Sequence, residues 1–162
     1  MNIMNIEDRA VELLIKAGYH ISFAESCTAG LAAGKLVNVP DASKVLDVSF
    51  ITYANEAKIK YLGVEEETIK AHGVVSEEVA REMALGVSRE AGAEVGVGIT
   101  GIAGPSGGVP GKPVGTVCFG IAILGEVYTW REGFGDLGRN VVRDASVKFC
   151  YDRLVELLEK KL

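Results

Sequence analysis

The chain has 162 residues, of which 48% are apolar and 24% are charged, and this composition is typical of an ordinary soluble domain. Its 17 Lys and Arg against 22 Asp and Glu give a formal net charge of −5, which excludes a general attraction to nucleic acid or to an anionic membrane. No long apolar run and no secretion signal are present, so we expect a cytoplasmic protein. The three cysteines are widely spaced, so we expect neither a disulfide nor a metal site.

Helical and strand-like segments alternate along the chain. Helices are predicted over 5–18, 25–38, 55–63, 65–73, 76–92 and 139–161, and strands over 19–24, 44–54, 93–100, 114–123 and 126–134. The short link between the last two strands is typical of an antiparallel hairpin. We therefore predict an α/β fold, a three-layer α/β/α sandwich with a mixed, mostly parallel sheet, forming one domain over residues 1–162.

The segment "GVGITG", residues 96–101, matches the glycine spacing of a dinucleotide-binding turn. In that motif the glycines form the turn that leaves a strand, and the last one opens a helix. Here the glycines lie inside a predicted strand, and residues 101–113 continue as a loop with five glycines and three prolines. The pattern therefore argues against a dinucleotide cofactor and indicates a functional loop instead.

Ser26 lies at the predicted junction between a buried strand and a helix. Backbone N–H groups and the positive end of a helix dipole converge at such a point and could stabilise an oxyanion. Ser26 or Thr28 could equally serve only as a helix cap. Cys27 is a rival nucleophile, and His20 or His72 could assist either side chain.

A lysine can activate a serine when burial lowers its pKa enough to leave some neutral amine. Lys58 follows a predicted strand that ends near Tyr53, which would bring an amine and a phenol to one edge of the sheet. Tyr53 could instead be only a half-buried strand residue, and Lys58 only a solvated charge on a helix. Lys60 and Lys35 are alternative candidates for the lysine base.

Arg139 and Arg143 are four residues apart at the start of the last predicted helix, where two cations oppose the helix dipole. A bound phosphate would reverse that penalty, because it would accept hydrogen bonds from the guanidinium groups and the helix N–H groups. The alternative is a pair of surface salt bridges to Asp136 and Asp144.

Five motifs occur in one order along nearly the whole chain, and together they resemble the CinA C-terminal domain family: "AESCTAG", "ITYANEAK", "GVVSEEVA", "GITGIAGPSGG" and "KPVGTV". Members of that family include nicotinamide-nucleotide amidohydrolases. The resemblance implies an enzyme of pyridine-nucleotide (NAD) salvage that deamidates nicotinamide mononucleotide to nicotinate mononucleotide and ammonia without a metal or organic cofactor. A catalytically silent nucleotide-binding or partner-binding module is the alternative, and a homodimer or homotrimer is expected.

Carried over residue by residue, the family's nucleophile corresponds to Ser26, its lysine base to Lys58 and its tyrosine to Tyr53. The resemblance thus implies that Lys58 receives the Ser26 proton, either directly or through Tyr53. The resemblance departs at Ala29, where many relatives have glycine, and before Arg139, where two extra residues intervene. The residues expected to bind substrate are Glu25, Cys27, Thr28, Ala29, Gly30, Thr100, Gly101, Gly104, Arg139 and Arg143. The backbone N–H groups of residues 27–30 are expected to hold the oxyanion.

Overall fold

The structure is a computed structural model, and it describes residues 3–162. Within this range the chain forms six α-helices, one short 3₁₀ helix and five strands. The helices are α1 (Ile6–Ala17), α2 (Leu31–Leu36), α3 (Asn55–Leu62), α4 (Glu66–His72), α5 (Glu77–Ala91) and α6 (Arg139–Lys161), with the 3₁₀ helix at Pro40–Lys44. The strands are β1 (Ile21–Glu25), β2 (Phe50–Ile51), β3 (Val95–Gly101), β4 (Thr116–Ile123) and β5 (Glu126–Gly133).

The five strands form one mixed sheet in the order β2-β1-β3-β4-β5. Strands β2, β1 and β3 are parallel, whereas β4 and β5 add an antiparallel hairpin at one end. Helices α1, α2 and α6 cover one face, and α3, α4 and α5 lie on the other. The predicted α/β/α sandwich with a mixed sheet and a terminal hairpin is confirmed.

Alternation along β3 assigns different side chains to the two faces of the sheet. Val95, Val97 and Ile99 are fully buried in the larger apolar core, which they share with α1 and α6. The intervening Gly96 and Gly98 face α5, as expected for the period of two in a strand. The glycines of "GVGITG" therefore lie within a strand, as the sequence predicted, and the next strand or helix after them is β4.

Glycine is required at these positions because α5 packs unusually close to the sheet. A Cβ added at Gly98 would lie 2.5 Å from the carbonyl oxygen of Ala80, and one at Gly96 would lie 2.1 Å from that of Ala84. Gly120 of β4 is paired with Gly98 and also contacts the Ala80 carbonyl. The glycine spacing therefore serves the packing of a helix against the sheet.

Two predicted elements are shorter in the structure than the sequence indicated. The strand predicted over 44–54 contains β2 and an isolated parallel bridge between Leu46 and Ile21, because side chains replace part of the backbone ladder between them. Ser22 Oγ donates to the Val48 carbonyl at 2.6 Å, and the Phe23 N–H donates to Ser49 Oγ at 3.0 Å. The helix predicted over 25–38 is likewise limited to α2, since residues 26–30 form a turn.

Candidate active site

Ser26 lies directly after β1, in the turn that connects this strand to α2. Its N–H donates to the Ile99 carbonyl of the neighbouring strand at 3.1 Å, so its backbone is fixed by the sheet. The turn passes through Ala29 with φ 44° and Gly30 with φ 97°, both in the left-handed region. Ser26 therefore lies at the carboxyl end of β1, where the residue is 8% exposed.

Lys58 reaches Ser26 from α3, although 32 residues separate them in the sequence. Its Nζ lies 3.1 Å from Ser26 Oγ, 2.7 Å from the Thr52 carbonyl oxygen and 3.2 Å from the Tyr53 carbonyl oxygen. The side chain is 1% exposed. Burial lowers the pKa of the Lys58 amine to about 8, because the charged form loses its hydration.

The three oxygen atoms around Lys58 Nζ suit a proton acceptor. A neutral amine has two N–H donors and one lone pair. With the donors directed to the carbonyls of Thr52 and Tyr53, the lone pair is left for the Ser26 hydroxyl. Neither Lys60 nor Lys35 contacts Ser26 in the described chain, so Lys58 is the lysine that the fold brings to this serine.

A cavity of about 190 Å³ opens above the serine and lysine. It is lined by Ser26, Cys27, Tyr53, Asn55, Lys58, Val74, Val75, Thr100 and Gly101. Thr100, at the end of β3, donates through Oγ1 to the Val74 carbonyl at 3.0 Å and so fixes the segment between α4 and α5 as one wall. The cavity therefore combines a polar floor with an apolar side.

Tyr53 contributes in a different way from the one expected. Its side chain is 58% exposed, and its phenol accepts a hydrogen bond from Arg139 Nη2 at 2.9 Å. Its backbone carbonyl, and not its phenol, contacts the Lys58 amine. A proton relay from Ser26 to Lys58 through the Tyr53 hydroxyl is therefore not the arrangement in this structure.

The two arginines at the start of α6 each contact a residue of the cavity wall, Tyr53 or Cys27, but neither they nor Gly104 line the cavity as the sequence predicted. Arg139 Nη1 donates to the Gly104 carbonyl at 2.8 Å, and Arg143 Nε donates to the Cys27 carbonyl at 2.9 Å. Arg143 Nη2 also approaches the Thr28 carbonyl at 3.4 Å. Within residues 3–162 neither guanidinium forms an ion pair, so the alternative of surface salt bridges to nearby aspartates is wrong. Both cations are bound only to neutral oxygen atoms.

Glu25 does not line the cavity, although the sequence grouped it with the substrate-binding residues. Its carboxylate oxygens accept the N–H groups of Ala32 and Ala33 at 2.8 and 3.0 Å, at the start of α2. The N-terminus of α2, expected to stabilise an oxyanion, is therefore already occupied. Thr28, Ala29 and Gly30 are also absent from the cavity wall and form part of the turn between β1 and α2.

A model of the CinA C-terminal domain family matches residues 3–158 of the chain. The chain belongs to the CinA C-terminal domain family. This CinA domain is 48% identical over 148 residues to a CinA-like protein of Kosmotoga olearia, a match that covers 91% of the chain and 36% of that protein. It is 53% identical over 119 residues to a CinA-like protein of Chloroherpeton thalassium, covering 74% of the chain and 28% of that protein. The CinA domain thus spans about a third of the length of these curated relatives.

Solved structures of similar proteins share the fold over almost the whole chain. The competence/damage inducible protein CihA of Agrobacterium tumefaciens has a TM-score of 0.89 at 39% identity, covering 97% of this chain and 99% of that one. A CinA superfamily protein of Klebsiella pneumoniae has a TM-score of 0.91 at 35% identity, covering 97% and 99%. The resemblance inferred from the sequence motifs is confirmed at the level of the family.

The alternative nucleophile and bases have unsuitable environments in this CinA domain. Cys27 lines the cavity, but burial raises the pKa of its thiol to about 11, which disfavours the reactive thiolate. His20 pairs with Asp47 at 2.7 Å and His72 lies 3.7 Å from Glu78, and neither histidine lines the cavity. The described residues contain no acidic, histidine or cysteine cluster that could hold a metal ion. No helix among them is long and apolar enough to cross a membrane.

Three residues of the cavity wall were not identified as site residues from the sequence: Asn55, Val74 and Val75. Asn55 lies in "TYANEAK" between Tyr53 and Lys58, so its motif was noted while its own position was not. The two valines have the composition of ordinary core residues. Their place at the cavity depends on the Thr100 contact between β3 and the α4 to α5 connection, which no local pattern indicates.

Proposed function

We propose that this CinA domain hydrolyses the carboxamide of nicotinamide mononucleotide, with Ser26 as nucleophile and Lys58 as its base. The observation that carries the proposal is the 3.1 Å contact between Ser26 Oγ and the buried Lys58 amine. A pKa of about 8 leaves a useful fraction of Lys58 neutral near neutral pH. Membership of a family that includes such amidohydrolases supports the choice of substrate and a role in pyridine-nucleotide salvage.

In the first half of the reaction, Ser26 Oγ attacks the amide carbon while its proton passes to Lys58 Nζ. The resulting oxyanion accepts a hydrogen bond from the turn after Ser26, where the N–H of Cys27, a residue of the cavity wall, has no acceptor within the described chain. Each well-placed donor of this kind contributes about 3 kcal/mol to transition-state stabilisation. The C–N bond then breaks as the Lys58 ammonium returns its proton to the leaving nitrogen, which departs as ammonia.

In the second half, a water molecule attacks the ester on Ser26 and transfers a proton to Lys58. The ester C–O bond breaks, Ser26 Oγ recovers a proton from Lys58, and nicotinate mononucleotide leaves as the carboxylic acid, which then ionises. The same amine thus acts as base and then acid in each half.

The substrate phosphate is assigned to the Arg139 and Arg143 side of the cavity. Both guanidinium groups now bind neutral carbonyl or phenol oxygens. A phosphate would accept stronger, charge-assisted hydrogen bonds than these neutral groups do. The loop at Gly104, which contacts Arg139, would then lie beside the nucleotide.

Ammonia release from nicotinamide mononucleotide tests the proposal. We expect Ser26→Ala to lower kcat by at least about a thousandfold, since the serine provides the attacking atom. Ser43→Ala, which changes an exposed serine in the 3₁₀ helix, is the matched control and should retain activity. Thermal melting of each variant monitors folding. Full activity in Ser26→Ala would refute the serine mechanism, and tight nucleotide binding by the wild type without ammonia release would favour a silent binding module.

A further inference from the structure

Glu25 is a buried acidic residue that the reaction scheme does not use. It is the last residue of β1, directly before Ser26, and is 1% exposed. Both of its carboxylate oxygens accept backbone N–H groups, from Ala32 at 2.8 Å and from Ala33 at 3.0 Å. Both oxygens of the Glu25 side chain thus act as hydrogen-bond acceptors. No ion pair to Glu25 forms within residues 3–162.

The Glu25 carboxylate replaces the side-chain N-cap that α2 lacks. The N-cap of α2 is Gly30, which has no side chain to accept the first free N–H groups of the helix. Glu25 takes this role from the adjacent strand, across the turn that contains Ser26. The turn is therefore fixed at both ends, by the bond from the Ser26 N–H to Ile99 and by the two bonds to the Glu25 carboxylate.

We propose that Glu25 is a positioning residue, which holds the turn of residues 26–30 in the geometry that directs Ser26 Oγ at Lys58. It acts through Ser26 and does not contact substrate, because its carboxylate faces α2. This inference rests on the proposed function in taking Ser26 as the nucleophile. It is independent of which amide is the substrate.

A fluorophosphonate ester measures the nucleophile without the natural substrate. Ser26 Oγ forms a bond to phosphorus, the P–F bond breaks, fluoride leaves, and the serine proton passes to Lys58. We expect Glu25→Gln to lower the rate of Ser26 labelling at least about tenfold, because it keeps the side-chain length but places an NH₂ group against a backbone N–H. Glu82→Gln is the matched control, since the Glu82 carboxylate accepts the Glu65 N–H at 2.7 Å at the start of α4, and it should label at the wild-type rate.

Steady-state ammonia release separates positioning from substrate binding. For a positioning residue, kcat in Glu25→Gln falls by a factor similar to that of the labelling rate, while KM stays within about twofold and the pH midpoint of activity is unchanged. An unchanged labelling rate, or a raised KM with an unchanged kcat, would overturn the inference. If the wild type is labelled at Ser26 but releases no ammonia, the proposed substrate is wrong and the labelling ratio still decides the role of Glu25.

Hydrogen exchange in the wild type tests the same contact without a substitution that could impair folding. The amides of Ala32 and Ala33 lie in the first turn of a helix of six residues, where unprotected exchange is the ordinary behaviour. We expect them instead to exchange as slowly as the amides of β3. Exchange at the rate of exposed loop amides would show that Glu25 does not hold the turn, and would overturn the inference.

Discussion

The chemistry of Lys58 follows from its surroundings more than from its residue type. Its amine contacts three neutral oxygen atoms, from Ser26, Thr52 and Tyr53, and forms no ion pair within the described chain. Without a carboxylate to stabilise the ammonium, burial dominates and lowers the pKa to about 8. The same arrangement that makes the charged form costly makes the neutral form available to accept the serine proton.

The pH dependence of kcat/KM follows from this lowered pKa. The reaction needs neutral Lys58, so kcat/KM should rise about tenfold per pH unit below 8 and become constant above it. Lys58→Met should lower kcat by at least about a hundredfold at every pH. Lys60→Met changes an exposed lysine of the same helix and should keep the wild-type profile. A wild-type profile that is flat between pH 6 and pH 9 would exclude Lys58 as the base.

At the scale of elements, the active-site turn depends on how closely the strands and helices pack around it. Strands β1 and β3 are neighbours in the sheet, and the end of β3 provides Thr100 and Gly101 to the cavity. Helix α5 lies against β3 only because Gly96 and Gly98 have no side chains. Val74 and Val75, which precede α5, are held at the cavity wall by the Thr100 contact with the Val74 carbonyl.

The close packing of α5 predicts opposite effects for two glycine substitutions. Gly98→Ala would place a Cβ 2.5 Å from the Ala80 carbonyl oxygen, and this overpacking should lower the free energy of unfolding by about 1–3 kcal/mol. Gly34→Ala, in α2, meets no heavy atom within 4 Å and should raise it by about 0.5–1 kcal/mol through helix propensity. Urea unfolding measures both. Equal effects of the two substitutions would contradict the packing explanation.

The sequence predicted the order and type of the elements because apolar periodicity and glycine positions are local. It did not predict the short length of β2, where Ser22 and Ser49 side chains replace backbone pairing. It also extended α2 through Ala29, whose φ of 44° lies outside the helical region. An alanine in the left-handed region costs about 1–2 kcal/mol, so the angle agrees with the glycine that the family resemblance led us to expect at this position.

The sequence predicted which residues belong to the candidate site better than it predicted which atoms those residues contact. Ser26 and Lys58, singled out from the motifs, come together at 3.1 Å. The phenol of Tyr53 and the carboxylate of Glu25 point to other partners, because Arg139 and the start of α2 compete for them. These hydrogen bonds join residues up to 86 positions apart in the chain, so no local sequence pattern indicates them.

At the scale of the whole molecule, the buried lysine should lower the stability of the fold at neutral pH. The pKa of Lys58 is about 8 in the folded protein against 10.5 as its ordinary value. Between these two values the unfolded chain binds more protons than the folded one, so stability rises as the pH rises through this window. Below pH 8 the folded protein carries the full cost of a buried ammonium.

Comparison of the wild type with Lys58→Met isolates this effect, because all other titrating groups are shared. We expect the free energy of unfolding of the wild type to increase relative to that of Lys58→Met by about 2 kcal/mol between pH 7 and pH 9.5. Urea unfolding at the two pH values measures the difference, and Lys60→Met should show no such change. A pH-independent difference would mean that Lys58 titrates in the folded protein as it does in the unfolded chain. Burial would then not lower the pKa of the Lys58 amine, and the cost of the buried ammonium could not explain why neutral Lys58 is available to accept the Ser26 proton.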